Sequence, residues 1–359
     1  MLRIGVVAIG QFAPLLIWLL ILGGESHAAP PFKPAILFDT NVLFDGGFTE
    51  SAYRGAKSFT EIKGVDVKTF SPGFQDKSND DVDYPRIIRD ALAAKHSPLI
   101  GVGYGFTDEF SRVAPKYPET KFILVDAVID APNVQSIIFR EEQGSYLVGA
   151  MAAMASKTGK IGFVGGQDLG LIRNFGCGYS QGANRANPKI EIITAMIGDD
   201  VSAFVNPRAG KVLAQKIIAA GADVIYHAAG LSGNGVIEAA AQAGVLAIGV
   251  DSNQNAQAPG HVLTSMLKRL DVAIYRALLD LDEGRWYPGT QHLGLTEGAI
   301  GWSLDENNIE LVSQDMQDHV ENQAFEIMTN RVRVAVYDDE EGCPVADPVK
   351  VDDWGIIDD

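Results

Sequence analysis

Acids placed just beyond apolar runs are the residues in this chain best suited to chemistry. The run 36–38, Ile-Leu-Phe, reads as a buried strand; Asp39, Asp45, Phe48 and Thr49 follow it, around Gly46-Gly47, and a helical pattern begins near Thr49. In an open α/β sheet, ligands bind past the carboxyl ends of the strands. Phe48 then offers a platform for a flat ring, and Asp39 or Asp45 a hydrogen-bond acceptor. The plainer reading of the same stretch is a turn and a helix cap, with Thr49 or Asp45 supplying the cap oxygen. The pattern recurs. Gly101, Gly103 and Gly105 follow another apolar run and precede Asp108. Tyr226 and His227 end a third run, before Gly230 and Gly233, which let a backbone approach a ligand. Asp251 closes a fourth and is placed to accept two adjacent hydroxyls. Lys268 follows a fifth run, within reach of the same region or at the surface.

These residues do not form an enzyme's set. There is no G-x-x-x-x-G-K-[ST] and no H-E-x-x-H, and Phe106 breaks the partial match to G-x-G-x-x-G at Gly101–Gly105. With two Cys and six scattered His, no zinc-type ligand spacing exists, and no cofactor is expected. Acids without a base, metal or nucleophile suit recognition of hydroxyls and ring nitrogens. A net charge of −17 argues against nucleic acid and anionic membranes as partners.

The elements that must position these residues alternate. Strands are expected at 35–38, 65–70, 99–102, 122–125, 134–139, 160–164, 190–197, 224–227, 246–250 and 261–264. Most are continuous Val/Ile/Leu runs, as parallel strands covered on both faces require. Helical spacing fills 84–95, 144–156, 209–220, 235–243 and 267–281. This predicts βαβ units and an α/β fold of two Rossmann-like lobes joined by a hinge. The expected division is 29–140 plus 266–359 in lobe I and 141–265 in lobe II. The stretch 338–359 carries nine acids against Lys350 alone, an acidic tail read as solvated surface.

The first 28 residues read as a cleaved signal peptide: Arg3, an uncharged run from Ile4 to Gly24, and a small-x-small site ending at Ala28. No Cys stands there for lipid attachment, so a periplasmic protein is expected. Cys177 and Cys343 are far apart in the chain, and a bridge between lobes would hinder closure. Two free thiols are expected.

The chain resembles the basic membrane protein family of ABC-transporter substrate-binding proteins, whose best-understood members are purine-nucleoside receptors. The resemblance runs from about Ala35 to about Asp280. It is carried by Asp39–Gly55, Gly101–Asp108, the sequence Glu-Gln-Gly-Ser-Tyr-Leu-Val-Gly at 142–149, and the stretches 162–166, 206–210, 221–235, 249–254 and 263–268. It implies the type I periplasmic-binding-protein fold, a base stacked on Phe48, and a ribose held by Asp251 and Lys268, with Asp45, Asp108 and Gly230 lining the cleft. It further implies a monomer that passes a nucleoside-like ligand to an inner-membrane permease. Tyr226 is the candidate for the ring's second face. The family usually has Lys-Ser-Phe-Asn where this chain has Gly46-Gly47-Phe48-Thr49, and Asn253 stands where an acid is common. Two readings remain beside this one: the same fold holding a sugar, a flavin or another polar small molecule, and a periplasmic ligand sensor for a signalling receptor.

Overall fold

The computed structural model describes residues 32–72, 82–344 and 349–350. The expected signal peptide lies outside the described residues. Five strands build the first sheet: β1 (Ala35–Phe38), β2 (Lys68–Phe70), β3 (Leu99–Val102), β4 (Phe122–Val125) and β5 (Val134–Phe139). Five more build the second: β6 (Lys160–Gln167), β7 (Glu191–Gly198), β8 (Val224–Ala228), β9 (Leu246–Asp251) and β10 (Val262–Lys268). Then come β11 (Gly289–Leu293), β12 (Ile300–Trp302) and β13 (Val349–Lys350). The sheet orders are β11-β5-β4-β3-β1-β2 and β12-β10-β9-β8-β6-β7-β13. Every pairing is parallel except β10 with β12.

The helices are α1 (Phe48–Lys63), α2 (Tyr84–Ala93), α3 (Thr107–Val113), α4 (Glu141–Ala155), α5 (Gly170–Ala186), α6 (Pro207–Ala219), α7 (Gly233–Ala243), α8 (Leu270–Asp282) and α9 (Gln314–Met328). They cover both faces of the sheets, which is why the strands carry no polar alternation. In β1, Ile36 and Phe38 join the cluster that holds Ala52 and Phe59 of α1, while Ala35 and Leu37 join the one that holds Ile87 and Ile88 of α2. This is the two-lobed α/β architecture that the alternating pattern predicts.

The chain passes between the lobes at Arg140, at Arg269 and across 294–299. These passages lie side by side: Arg140 N donates to Leu293 O (2.8 Å) and Arg269 N to Ala299 O (2.8 Å). Of the described elements in the segment 266–359, expected wholly in lobe I, only α8 and β11 lie there. β10 ends lobe II's sheet and needs a partner on its free edge, and β12 supplies it. α9 then covers α4, with Tyr146, Leu147, Ile327 and Val334 in one apolar cluster. β13 pairs with β7, also in lobe II.

The tail corrects a second expectation. Cys177 and Cys343 form a disulfide. Both lie on lobe II, Cys177 in α5 and Cys343 in the segment laid over it, so the bridge does not span the hinge and closure is no argument against it. The four acids of the tail that the structure describes, 338–341, are exposed, as a solvated surface requires, while Cys343 and the preceding residues 335–337 hold the segment to lobe II.

Candidate ligand-binding cleft

The carboxyl ends of both sheets face a cleft with an empty volume of 1130 Å³, including the part open to solvent. Asp39, Asp45, Phe48, Thr49, Gly230, Asp251 and Lys268 all line it. They arrive from four places in the sequence, and each is set by a local rule. Asp39 follows β1 directly and Asp251 ends β9 with φ +66°. Gly103 adopts φ +104° after β3, and a Cβ built there would lie 3.6 Å from Asp39 Oδ2 and 4.0 Å from the Phe48 ring. A glycine thus leaves the gap between acid and aromatic open.

Asp45 is the helix cap. Its Oδ1 accepts from Gly47 N (2.9 Å) and Glu50 N (3.0 Å), and its Oδ2 accepts from Thr49 N (3.0 Å). Glu50 Oε2 returns the favour by accepting from Gly46 N (3.1 Å). The carboxylate satisfies two of the free N–H groups that begin α1, those of Thr49 and Glu50, and Phe48 and Thr49 are thereby fixed at the cleft wall.

Lys268 is the centre of the floor. It is 1% exposed, and its Nζ donates to Asp126 Oδ2 at 2.7 Å. The rings of Phe48, Phe139 and Phe175 lie with centroids 5.3, 5.1 and 5.6 Å from that nitrogen, close enough for cation–π attraction. Burial alone would lower the lysine, but Asp126, Glu141 and Asp251 together hold its pKa above the ordinary value. Burial pushes Asp251 up to about 7 and Glu141 up to about 8, against the pull of the same lysine. Three acids thus share one cation. Asp126 Oδ1 and Glu141 Oε2 are buried with no hydrogen-bond partner among the described residues. Such acceptors are costly until a donor reaches them.

A second polar group faces the cleft from lobe I. Burial raises Asp39 to about 6, while the Tyr84 hydroxyl donates to it and pulls the other way. Burial likewise raises Tyr84, and lifts Tyr104 to about 12. The Tyr104 hydroxyl donates to Gln167 Oε1 across the cleft.

Two expected residues lie elsewhere. Asp108 sits on the exposed first turn of α3 and does not line the cleft. Tyr226 is wholly buried inside lobe II, between Phe163 and Tyr179, with its hydroxyl 3.1 Å from Ser145 Oγ. It sits within β8, short of the strand's end, so its ring enters the core. The aromatic residues lobe II does present are Phe175, from α5, and Phe204, after β7. Phe204 fits because Gly166 has no side chain: a Cβ there would lie 2.4 Å from its ring. Asp126 also went unremarked in the sequence, although it stands one residue past β4 as Asp39 stands past β1. Asn253 is tied to Asp305 Oδ2 (2.6 Å) and does not line the cleft. His227 is buried, 3.1 Å from Gln254 Oε1, and burial lowers it to about 4.

The profile of the PnrA-like ABC transporter substrate-binding proteins matches residues 32–335. The chain belongs to that family. It is 31% identical over 329 residues to the CD4+ T-cell-stimulating antigen of Listeria innocua, covering 87% of this chain and 90% of the relative. It is 32% identical over 311 residues to basic membrane protein A1 of Borrelia garinii, covering 84% and 88%. The crystal structure of an ABC transporter solute-binding protein from Aeropyrum pernix superposes with a TM-score of 0.76 at 28% identity, covering 86% of this chain and 94% of that one. The protein is thus an ABC-type substrate-binding protein with a periplasmic-binding-protein fold, and the family implies a small-molecule ligand and a permease partner. Among the described residues no helix is long and apolar enough to cross a membrane.

Proposed function

We propose that this substrate-binding protein captures a purine nucleoside, or a closely similar nucleoside, between its lobes. We further propose that, exported through the signal peptide at 1–28, it delivers that ligand from the periplasm to the permease of an ABC importer. The observation that carries the reading is the floor around Lys268. An aromatic ring, Phe48, stands beside buried acceptors that lack donors, Asp126 Oδ1 foremost. A nucleoside brings both complements: a flat ring for the aromatic, and a pair of sugar hydroxyls for Asp126 and Asp251. Lys268 then donates to the sugar oxygens, and Asp39 accepts from the base edge. Phe175 or Phe204, not Tyr226, is the partner for the ring's other face. The role is capture and release, without chemistry on the ligand.

A thermal-shift panel of nucleosides, free bases, sugars and flavins tests this directly. A nucleoside at about 100-fold excess over its Kd raises stability by about 2.7 kcal/mol. A shift with sugars or flavins and none with any nucleoside overturns the proposal. Mass spectrometry of the mature N-terminus tests the export reading; a chain that begins at Met1 outside the cell refutes cleavage.

A further inference from the structure

Helix α5 has two working faces. One gives Leu171, Ile172 and Phe175 to the cleft. The other lies under the C-terminal strap, residues 334–343. Gln181 Nε2 donates to Ala335 O (2.8 Å), and Ala335 N donates to Gln181 Oε1 (3.0 Å). Tyr337 N donates to Asn174 Oδ1 (2.7 Å). Arg173 donates to the Tyr337 hydroxyl and lies over its ring, 5.1 Å from the centroid. The Cys177–Cys343 disulfide completes the set.

These attachments reach the floor of the cleft. The other end of the Asn174 amide donates to Glu141 Oε1 (3.3 Å), and Glu141 is one of the three acids around Lys268. A single side chain therefore separates the strap from the charged cluster. The strap has little apolar hold of its own: Val334 is buried, but Val336 is 54% exposed and 338–341 are exposed. Neutral hydrogen bonds near a surface contribute about 1 kcal/mol each, and such segments open readily. The covalent bond is what makes the attachment lasting.

We propose that the strap is a positioning element for the ligand, locked by the Cys177–Cys343 disulfide, and that opening this bond loosens the cleft-lining half of α5 and weakens binding. The opening step is thiol–disulfide exchange with a dithiol. One thiolate of the dithiol attacks the Cys343 sulfur, the more exposed of the pair, since Cys177 is 3% exposed. The Cys177 sulfur leaves as thiolate and takes up a proton. The dithiol's second thiolate then displaces Cys343 from the mixed disulfide, and that thiolate too is protonated. Two electrons and two protons pass to the protein, and the dithiol becomes its own cyclic disulfide.

The test compares folded wild-type protein as purified, after dithiothreitol, and after reoxidation. Hydrogen exchange read by mass spectrometry reports on 171–175, and calorimetry reports the affinity for guanosine. The reduced protein should keep its far-ultraviolet circular dichroism, exchange faster over 171–175, and bind guanosine about fivefold more weakly or worse; reoxidation should restore both. Cys343→Ser should reproduce the reduced state without reductant. Unchanged exchange over 171–175, or faster exchange with unchanged affinity, overturns the proposal. So does a lower melting temperature alone, which would make the bond a stabilising staple and nothing more. The affinity arm rests on the nucleoside reading and the exchange arm does not. If guanosine binds neither state, that reading fails on its own and exchange decides this one.

Discussion

At the scale of single residues, Lys268 decides most. Among the described residues that line the cleft it is the only cation, and it neutralises part of a cluster of three buried acids. Removing one member of a buried ion pair typically costs about 3–5 kcal/mol, because the partner is left charged in a dry place. Lys268→Met should therefore lower the urea midpoint, by a shift equivalent to an unfolding free energy in that range, and ligand binding should go with it. A midpoint close to wild type would mean the acids are already protonated. The same cluster sets a pH dependence. Glu141 rises from 4.5 to about 8 and Asp251 from 3.8 to about 7. Between the ordinary and the raised values the folded chain keeps protons that the unfolded chain has released, so stability falls as pH rises through 7 and 8. His227, lowered from 6.5 to about 4, acts in the opposite sense, but its effect is complete by pH 6.5. The melting temperature should thus drop by several degrees from about pH 6.5 to about pH 8.5, and Glu141→Gln, which keeps the acceptor for Asn174, should shrink the drop. An equal drop in that variant would remove Glu141 as its source. Phe48→Ala should cost on the order of 1–3 kcal/mol of nucleoside affinity by calorimetry, as loss of a base–aromatic stack does elsewhere. Unaltered affinity would take Phe48 out of the site.

At the scale of elements, the cleft depends on helices held unusually close. α4 and α5 meet backbone to backbone. A Cβ on Gly182 would lie 1.8 Å from Tyr146 O, and one on Gly149 would lie 2.1 Å from Tyr179 O. Neither contact can be relieved by turning a side chain. Gly182→Ala should destabilise by at least the roughly 1–3 kcal/mol typical of overpacking, read as a shifted denaturation midpoint, and should disturb Phe175, two turns away on nearly the same face of α5. A neutral substitution would show that the helices can slide apart freely. The start of α1 teaches the complementary lesson. Its sequence offers either Asp45 or Thr49 as cap and either acid as ligand contact. Asp45 takes the cap through both oxygens, so its carboxylate holds Phe48 and Thr49 still at the cleft wall.

At the scale of the whole molecule, the lobes touch across the cleft at Tyr104 and Gln167 and again at one rim. Ser252 Oγ donates to Gly47 O (3.1 Å) and accepts from Arg54 Nη2 (3.1 Å), while Gln254 Nε2 reaches Gly46 O (3.4 Å). The carbonyls of Gly46 and Gly47 thus serve the interlobe contact. Ser252→Ala removes one donor and one acceptor from that contact. With about 0.5–1.5 kcal/mol for a typical bond, ligand affinity should fall about two- to tenfold without loss of fold. No change by calorimetry would mean that these bonds do not stabilise the closed form.

Much of this was written along the chain. The alternating apolar runs determined two parallel sheets, because a strand buried on both faces needs an unbroken apolar sequence. An acid that ends a strand or stands one residue past it must lie at the carboxyl edge, so Asp39 and Asp251 were legible, and Asp126 was equally so. Three things were not. Whether an aromatic at a strand end faces cleft or core depends on where within the strand it falls, and Tyr226 falls inside. Whether an acid past a glycine turn faces inward depends on the turn's path, and Asp108 faces solvent. Which acids share Lys268 depends on the docking of β4, α4 and β9 around β10, across as much as 142 residues of chain. The tail shows the limit most plainly. Its acids suggested only a solvated surface, and the distance from Cys177 to Cys343 argued against a bond. Local pattern carries no information about a segment held by partners 166 residues away; only the folded chain brings α5 under the strap.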